Sequence, residues 1–217
     1  MWLAAVLGLG IGLILNACAD RLPRDVEARL SGSRRIARWS ILTLISACLC
    51  AYLQRQYGWS FTLVIEVVYC GLLLLIAAID LEHSLIPNIL VGSGMVLALG
   101  FNVLQPTPGL AAALWGAGVG GGIFMLLALA RRNALGLGDV KLASLIGMMT
   151  GFPWVLQALT LGVVLGGLAA ALLMLARVRQ PKQYMPYAPY LVAGSMVTLL
   201  YGQGIASWYA SLTGLGG

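Results

Sequence analysis

Two of the seven acidic residues stand at the ends of apolar runs, where a carboxylate is costly, and any chemistry must start from them. Asp139 lies in Ala134-Leu135-Gly136-Leu137-Gly138-Asp139-Val140-Lys141, with glycines one and three residues before it. Asp80 ends the apolar run in Ala77-Ala78-Ile79-Asp80-Leu81-Glu82-His83-Ser84-Leu85-Ile86-Pro87-Asn88. Hydrocarbon offers a polar group no partner, so a carboxylate at such a boundary is solvated, paired or put to use. Gly136 and Gly138 would free the backbone for conformations closed to other residues and let another chain approach closely. Asp139 would then sit in the first turn of the following helix, where exposed amides and the helix dipole favour a negative charge. Two carboxylates that share a proton can hydrolyse a peptide bond. The ionised one takes a proton from water while the neutral one polarises the scissile carbonyl. The alternative use of membrane carboxylates is a proton relay, in which Glu66, Asp80 and Asp139 would serve a proton-coupled transporter.

The elements that must position these residues are membrane helices. The chain of 217 residues is 60% hydrophobic and 9% charged, against roughly 25% charged in an ordinary soluble domain. With a mean hydropathy of +0.93, this composition predicts an all-α, polytopic integral membrane bundle. Apolar spans run near 2–19, 39–54, 59–79, 88–104, 110–130, 139–151, 153–176 and 189–209. Most approach the roughly 20 residues that cross the hydrocarbon core, while the second and sixth are short. The sixth could begin within the membrane's depth at Asp139. Gln105-Pro106-Thr107-Pro108-Gly109 and Gly151-Phe152-Pro153 mark turns. The expectation is about eight transmembrane helices in one membrane-embedded domain, residues 1–217. The first span lacks a basic leader and reads as a retained helix.

The basic residues orient the bundle. Arg21, Arg24, Arg29, Arg34, Arg35 and Arg38 fall in the first loop, 20–38. Arg131, Arg132 and Lys141 surround Asp139, and Arg177, Arg179 and Lys182 precede the last span. With eight crossings these twelve of thirteen basic residues share one side with Asp80, and only Arg55 lies opposite. The positive-inside rule makes that side cytoplasmic and puts the localisation in the cytoplasmic (inner) membrane. The net charge of +6 thus reflects topology and attraction to anionic membrane lipid, not nucleic acid. The 20–38 loop, with Val26, Leu30 and Ile36, reads as an amphipathic segment on the headgroups, substrate docking being its alternative.

Other polar features have plain readings. Cys18, Cys48, Cys50 and Cys70 lie inside apolar spans with no zinc-ligand spacing, so they are read as packing residues and no metal is expected. Glu66 precedes Asp80 by fourteen residues, about 21 Å along a helix, too far for shared chemistry. Burying it costs roughly 2.5–3.5 kcal/mol, which predicts a hydrogen-bonding role. His83, the sole histidine, lacks partners for a metal and is read as a loop residue. Pro87 would set the start of the fourth helix and Asn88 would cap it. Gly8/Gly12, Gly118/Gly122 and Gly162/Gly166 have the small-x-x-x-small spacing of close helix packing. Lys141, two residues after Asp139, would face headgroups or a substrate carboxylate.

Four segments in order carry a resemblance. Asp80-Leu81-Glu82-His83-x-x-Ile86-Pro87-Asn88, followed by Gly136-x-Gly138-Asp139-x-Lys141, resembles the type IV prepilin peptidases, membrane aspartic proteases of the Gly-x-Gly-Asp kind. Leu15-Asn16 with Arg21-Leu22-Pro23 is similar to that family's N-terminal entry, and Pro186-Tyr187-Ala188-Pro189-Tyr190 to its Pro-Phe-Gly-Pro-Phe segment. Ala188 stands where the family has glycine. The resemblance implies that Asp80 and Asp139 converge as the catalytic pair, with Gly136, Gly138, Lys141, Glu82, Pro87 and Asn88 supporting the site or binding substrate. It implies that the chain cleaves the basic leader from a prepilin or pseudopilin of a type IV pilus or protein secretion machine, at the cytoplasmic face. Glu82, Asp25 and Glu27 could attract that leader. Many members carry a cysteine-rich, zinc-binding insertion in the first loop, and this chain is a short form without it. Proteolysis then needs no cofactor. Methylation of the new N-terminus with S-adenosylmethionine, also found in the family, stays open, since no glycine-rich nucleotide loop is visible. Oligomeric state is not legible.

Overall fold

The computed structural model describes residues 2–21, 32–130, 136–176 and 187–213. These form eight helices: α1 (Trp2–Arg21), α2 (Gly32–Tyr57), α3 (Phe61–His83), α4 (Asn88–Leu104), α5 (Leu110–Ala130), α6 (Leu137–Thr150), α7 (Trp154–Leu175) and α8 (Ala188–Thr213). The described residues contain no strand. Five helices, α1, α2, α3, α5 and α7, are long and apolar enough to cross a membrane, and α4 is a shorter apolar helix. Leu3, Val96, Trp115, Leu126 and Leu172 present most of their surface outward. Water would penalise such a surface by about 25 cal/mol per Å², whereas lipid is indifferent to it. The protein is a multi-pass membrane helix bundle.

Two boundaries differ from the hydropathy reading and one agrees with it. α2 begins at Gly32, not near 39, so part of the expected 20–38 loop is helix; residues 22–31 lie outside the described ones. Arginine is a good helix former with a long apolar stem, so Arg34, Arg35 and Arg38 extend the helix past the hydrophobic stretch that hydropathy detects. α3 runs four residues past the apolar run, which puts Asp80, Glu82 and His83 in its last turn. α6, at 14 residues, is as short as expected: about 21 Å against a hydrocarbon core of about 30 Å.

The chain divides into two compact units, Met1–Leu90 and Val91–Gly217. In the first, α1 and α2 meet through small residues. A Cβ on Gly8 would stand 2.6 Å from the Ala47 Cα, and one on Gly12 2.6 Å from the Thr43 Cα. Buried Asn16 secures the pair, donating through Nδ2 to the Gly12 carbonyl (2.9 Å), the Trp39 carbonyl (3.3 Å) and Thr43 Oγ1 (3.4 Å). α3 packs against both, its Gly71 facing Leu15.

In the second unit α5 and α6 approach closely at Gly116 and Gly147, where a Cβ on either would overlap the other's carbonyl oxygen. Gly120 sits against the Ala143 carbonyl. The expected pair Gly118/Gly122 does not pack, having nothing near either Cβ position; the packing phase is shifted by two residues, to Gly116/Gly120. Gly162 and Gly166 do pack, against Leu191 and the Tyr187 ring at the start of α8. Asn102 of α4 donates to the Met148 carbonyl of α6 at 3.1 Å.

Candidate active site

Asp139 is held by the entrance of its own helix. Gly136 is the N-cap of α6, and its N–H donates to Asp139 Oδ2 (3.3 Å), while the Asp139 N–H donates to the Gly136 carbonyl (3.1 Å). This satisfies two of the amides that a helix start leaves unpaired. Asp139 is only 7% exposed. Neither glycine uses the backbone conformations that only glycine reaches. Gly136 has φ −78° and ψ 147°, open to any residue, and neither it nor Gly138 has positive φ. Lys141 is exposed on the next stretch of α6.

Tyr187 adds a neighbour that the sequence reading assigned no role. Its ring fills the slot left by Gly166 and tilts against Phe124, with centroids 6.3 Å apart. Burial, and then the nearby Asp139 carboxylate, push its phenol up. The late Tyr-Ala-Pro-Tyr segment thus brings Tyr187 into electrostatic reach of Asp139. Ala188, in place of the usual glycine, is fully buried. Pro186 lies outside the described residues.

Asp80, 3% exposed, lies in the last turn of α3. Its carbonyl accepts from the Ser84 N–H (2.8 Å), and Ser84 takes the left-handed conformation, φ 50°, that ends the helix. Glu82, two residues on, accepts from Arg38 Nη1 at 2.6 Å, and His83 Nε2 stands 3.8 Å from the same oxygen. Arg38 Nη2 also donates to Asp20 Oδ1. His83 is therefore the end of a helix and not a loop residue. Glu82, which the sequence reading offered to a basic leader, is bonded to Arg38 of the same chain. Asp25 and Glu27 lie outside the described residues. Pro87 is buried, its carbonyl accepting from the Leu90 N–H (3.1 Å); Asn88 is the first residue of α4, one position inside the expected cap.

The remaining polar residues stand apart. Glu66 Oε2 has no hydrogen-bond partner among the described residues, so the expected hydrogen-bonding role is not visible at that oxygen. Cys50 and Cys70 are buried packing residues, Cys18 is half-buried, and Cys48 faces outward, against expectation.

A multi-pass helix bundle with buried carboxylates at helix ends is the class that fold and site define. Residues 67–172 match the Type IV leader peptidase family. A prepilin leader peptidase/N-methyltransferase of Bacillus subtilis is 31% identical over 186 residues, 86% of this chain and 75% of that protein. Proteins of the same name from Stutzerimonas stutzeri and Pseudomonas aeruginosa are 29% and 26% identical, over 79% and 82% of this chain. The matches span 61% and 63% of those two relatives. No solved structure matches. The chain belongs to the Type IV leader peptidase family and is a membrane peptidase. Family membership sets aside the transporter reading of Glu66, Asp80 and Asp139.

Proposed function

We propose that this chain is an aspartic endopeptidase that removes the basic leader of type IV prepilin-like precursors, with Asp80 and Asp139 as one catalytic pair. One observation carries the assignment. The family-matching stretch holds three acidic residues, Asp80, Glu82 and Asp139, and Glu82 is bonded to Arg38 while both aspartates are buried. Under this reading residues 1–217 act as one proteolytic domain. Twelve of thirteen basic residues falling on one side supports an active site at the cytoplasmic face of the inner membrane.

The pair works by sharing a proton. The ionised carboxylate takes a proton from water as its oxygen attacks the scissile carbonyl, and the neutral one donates to the carbonyl oxygen. The tetrahedral intermediate then collapses as the leaving nitrogen gains a proton and the C–N bond breaks. Such a pair titrates as a unit, so base and acid are not assigned separately. Gly136 holds Asp139 in orientation, and Pro87 and Asn88 set where the chain leaves the Asp80 turn. Proteolysis on this route uses no cofactor. The relatives' names add N-methylation, for which S-adenosylmethionine is the methyl donor in this reading. The described residues offer no strand with a glycine-rich loop to hold it, so no residue is assigned to it and no step runs through it.

The test is cleavage of a purified prepilin in detergent, without any ion gradient. Asp80→Asn and Asp139→Asn each keep size and much hydrogen bonding but cannot take the water proton. Each is expected to lower kcat by roughly a thousandfold or more, and the double mutant little further, as groups acting together fail together. Near-normal cleavage by either single mutant at matched folded protein sinks the pair. Mass spectrometry of the product with added S-adenosylmethionine tests methylation.

A further inference from the structure

Arg38, in the second turn of α2, joins the C-terminal ends of α1 and α3. It projects from α2 with its side chain only 9% exposed. Nη1 donates to Glu82, the penultimate residue of α3, and Nη2 to Asp20, the penultimate residue of α1. Only a guanidinium presents two terminal nitrogens in a rigid fork, so one side chain can serve two carboxylates on different helices; an ammonium is a single point charge. A buried charge of this kind is retained only if paired, and breaking such a pair is costly.

The α3 end needs such a tie. The helix stops at His83, Ser84 turns the chain left-handed, and Asp80 lies in the final turn with Glu82. Terminal turns fray unless anchored, because their last carbonyls have no helical partners. The bond from Arg38 to Glu82 anchors this turn to α2, and the bond to Asp20 extends the anchor to α1.

We propose that Arg38 is a positioning residue for proteolysis: through Glu82 it fixes the last turn of α3 and so the placement of the Asp80 carboxylate. The proposal rests on the reading of Asp80 as a catalytic carboxylate. Arg38 itself touches neither water nor substrate in this role. A displaced catalytic carboxylate loses turnover before it loses substrate binding, because its contribution is made in the transition state.

Kinetics of prepilin cleavage by the full-length chain in detergent, at matched amounts of folded protein, test this. Arg38→Met is expected to lower kcat about ten- to a hundredfold, the scale of an ångström's misplacement, with KM within about threefold. Arg38→Lys should recover part of the loss, since lysine can still reach one carboxylate. Glu82→Ala, which removes the acceptor, should lower kcat in the same direction, and Asp20→Ala less, because it leaves the α3 contact in place. An Arg38→Met kcat within about twofold of wild type, a loss confined to KM, or no recovery with lysine overturns the proposal. If Arg38→Met does not fold, Glu82→Ala decides, and unchanged kcat there overturns it too. Asp80→Asn, run alongside, separates the two readings. If it is inactive while Arg38→Met is normal, only the Arg38 role fails. If it cleaves normally, the catalytic reading fails and the positioning role with it.

Discussion

Asp139 is the residue whose environment makes the sharpest demand. It is buried in the first turn of α6, where the Gly136 N–H donates to its Oδ2 at 3.3 Å. Asparagine keeps that acceptor, so Asp139→Asn should be inactive yet fold, with a melting temperature within about 3 °C of wild type. Asp139→Ala leaves the Gly136 N–H without its partner and should cost about 1–3 kcal/mol of stability. Thermal unfolding of the two variants in detergent measures the contrast, and equal melting temperatures would remove the Gly136 bond from the account. The aspartate was legible from its place at an apolar boundary, whereas Tyr187, some fifty residues later, was not, because only folding brings it near.

At the scale of elements, close packing by glycine decides which helices can stand together. Gly116 and Gly147 let α5 and α6 approach until a Cβ on either would overlap backbone, which no side-chain rotation relieves. Gly147→Val should thus abolish or severely reduce folded protein. Gly118 and Gly122 carry the same spacing signal yet face open space. Gly118→Ala should be tolerated and stabilise by up to about 1 kcal/mol, since alanine is the better helix former. Expression and melting of the two variants side by side check the contrast; a well-folded Gly147→Val would remove the α5–α6 contact from the account. The spacing was legible but its phase was not. On an α5 that is apolar all round, no polar face marks which glycines turn inward.

At the scale of the molecule, membrane orientation is the property that charge controls. The distribution of basic residues predicts that the turn after α3 is cytoplasmic and the turn between α4 and α5 is outside. Ser84 and Thr107 are both exposed and serve as reporters. In a cysteine-free background, Thr107→Cys should react with an impermeant thiol reagent applied to intact cells, and Ser84→Cys only after permeabilisation. The reverse pattern would invert the topology and move the proposed active site to the other face.

What the sequence determined by itself was whatever depends on residue type alone. Hydropathy measured against a fixed hydrocarbon thickness yields the membrane class, the eight helices and the short α6, and a carboxylate at the edge of such a run is conspicuous without any fold. The tertiary structure decided what depends on helix rotation and on pairing across long stretches of chain. It begins α2 at Gly32, engages Glu82 with an arginine 44 residues away, bonds Asn16 across to α2 and seats Tyr187 against Gly166. The physical reason is the solvent. In water a helix declares its buried face by being polar on the other, but lipid accepts apolar side chains on every face, so only the close fit of small residues and the few polar bonds select which faces meet.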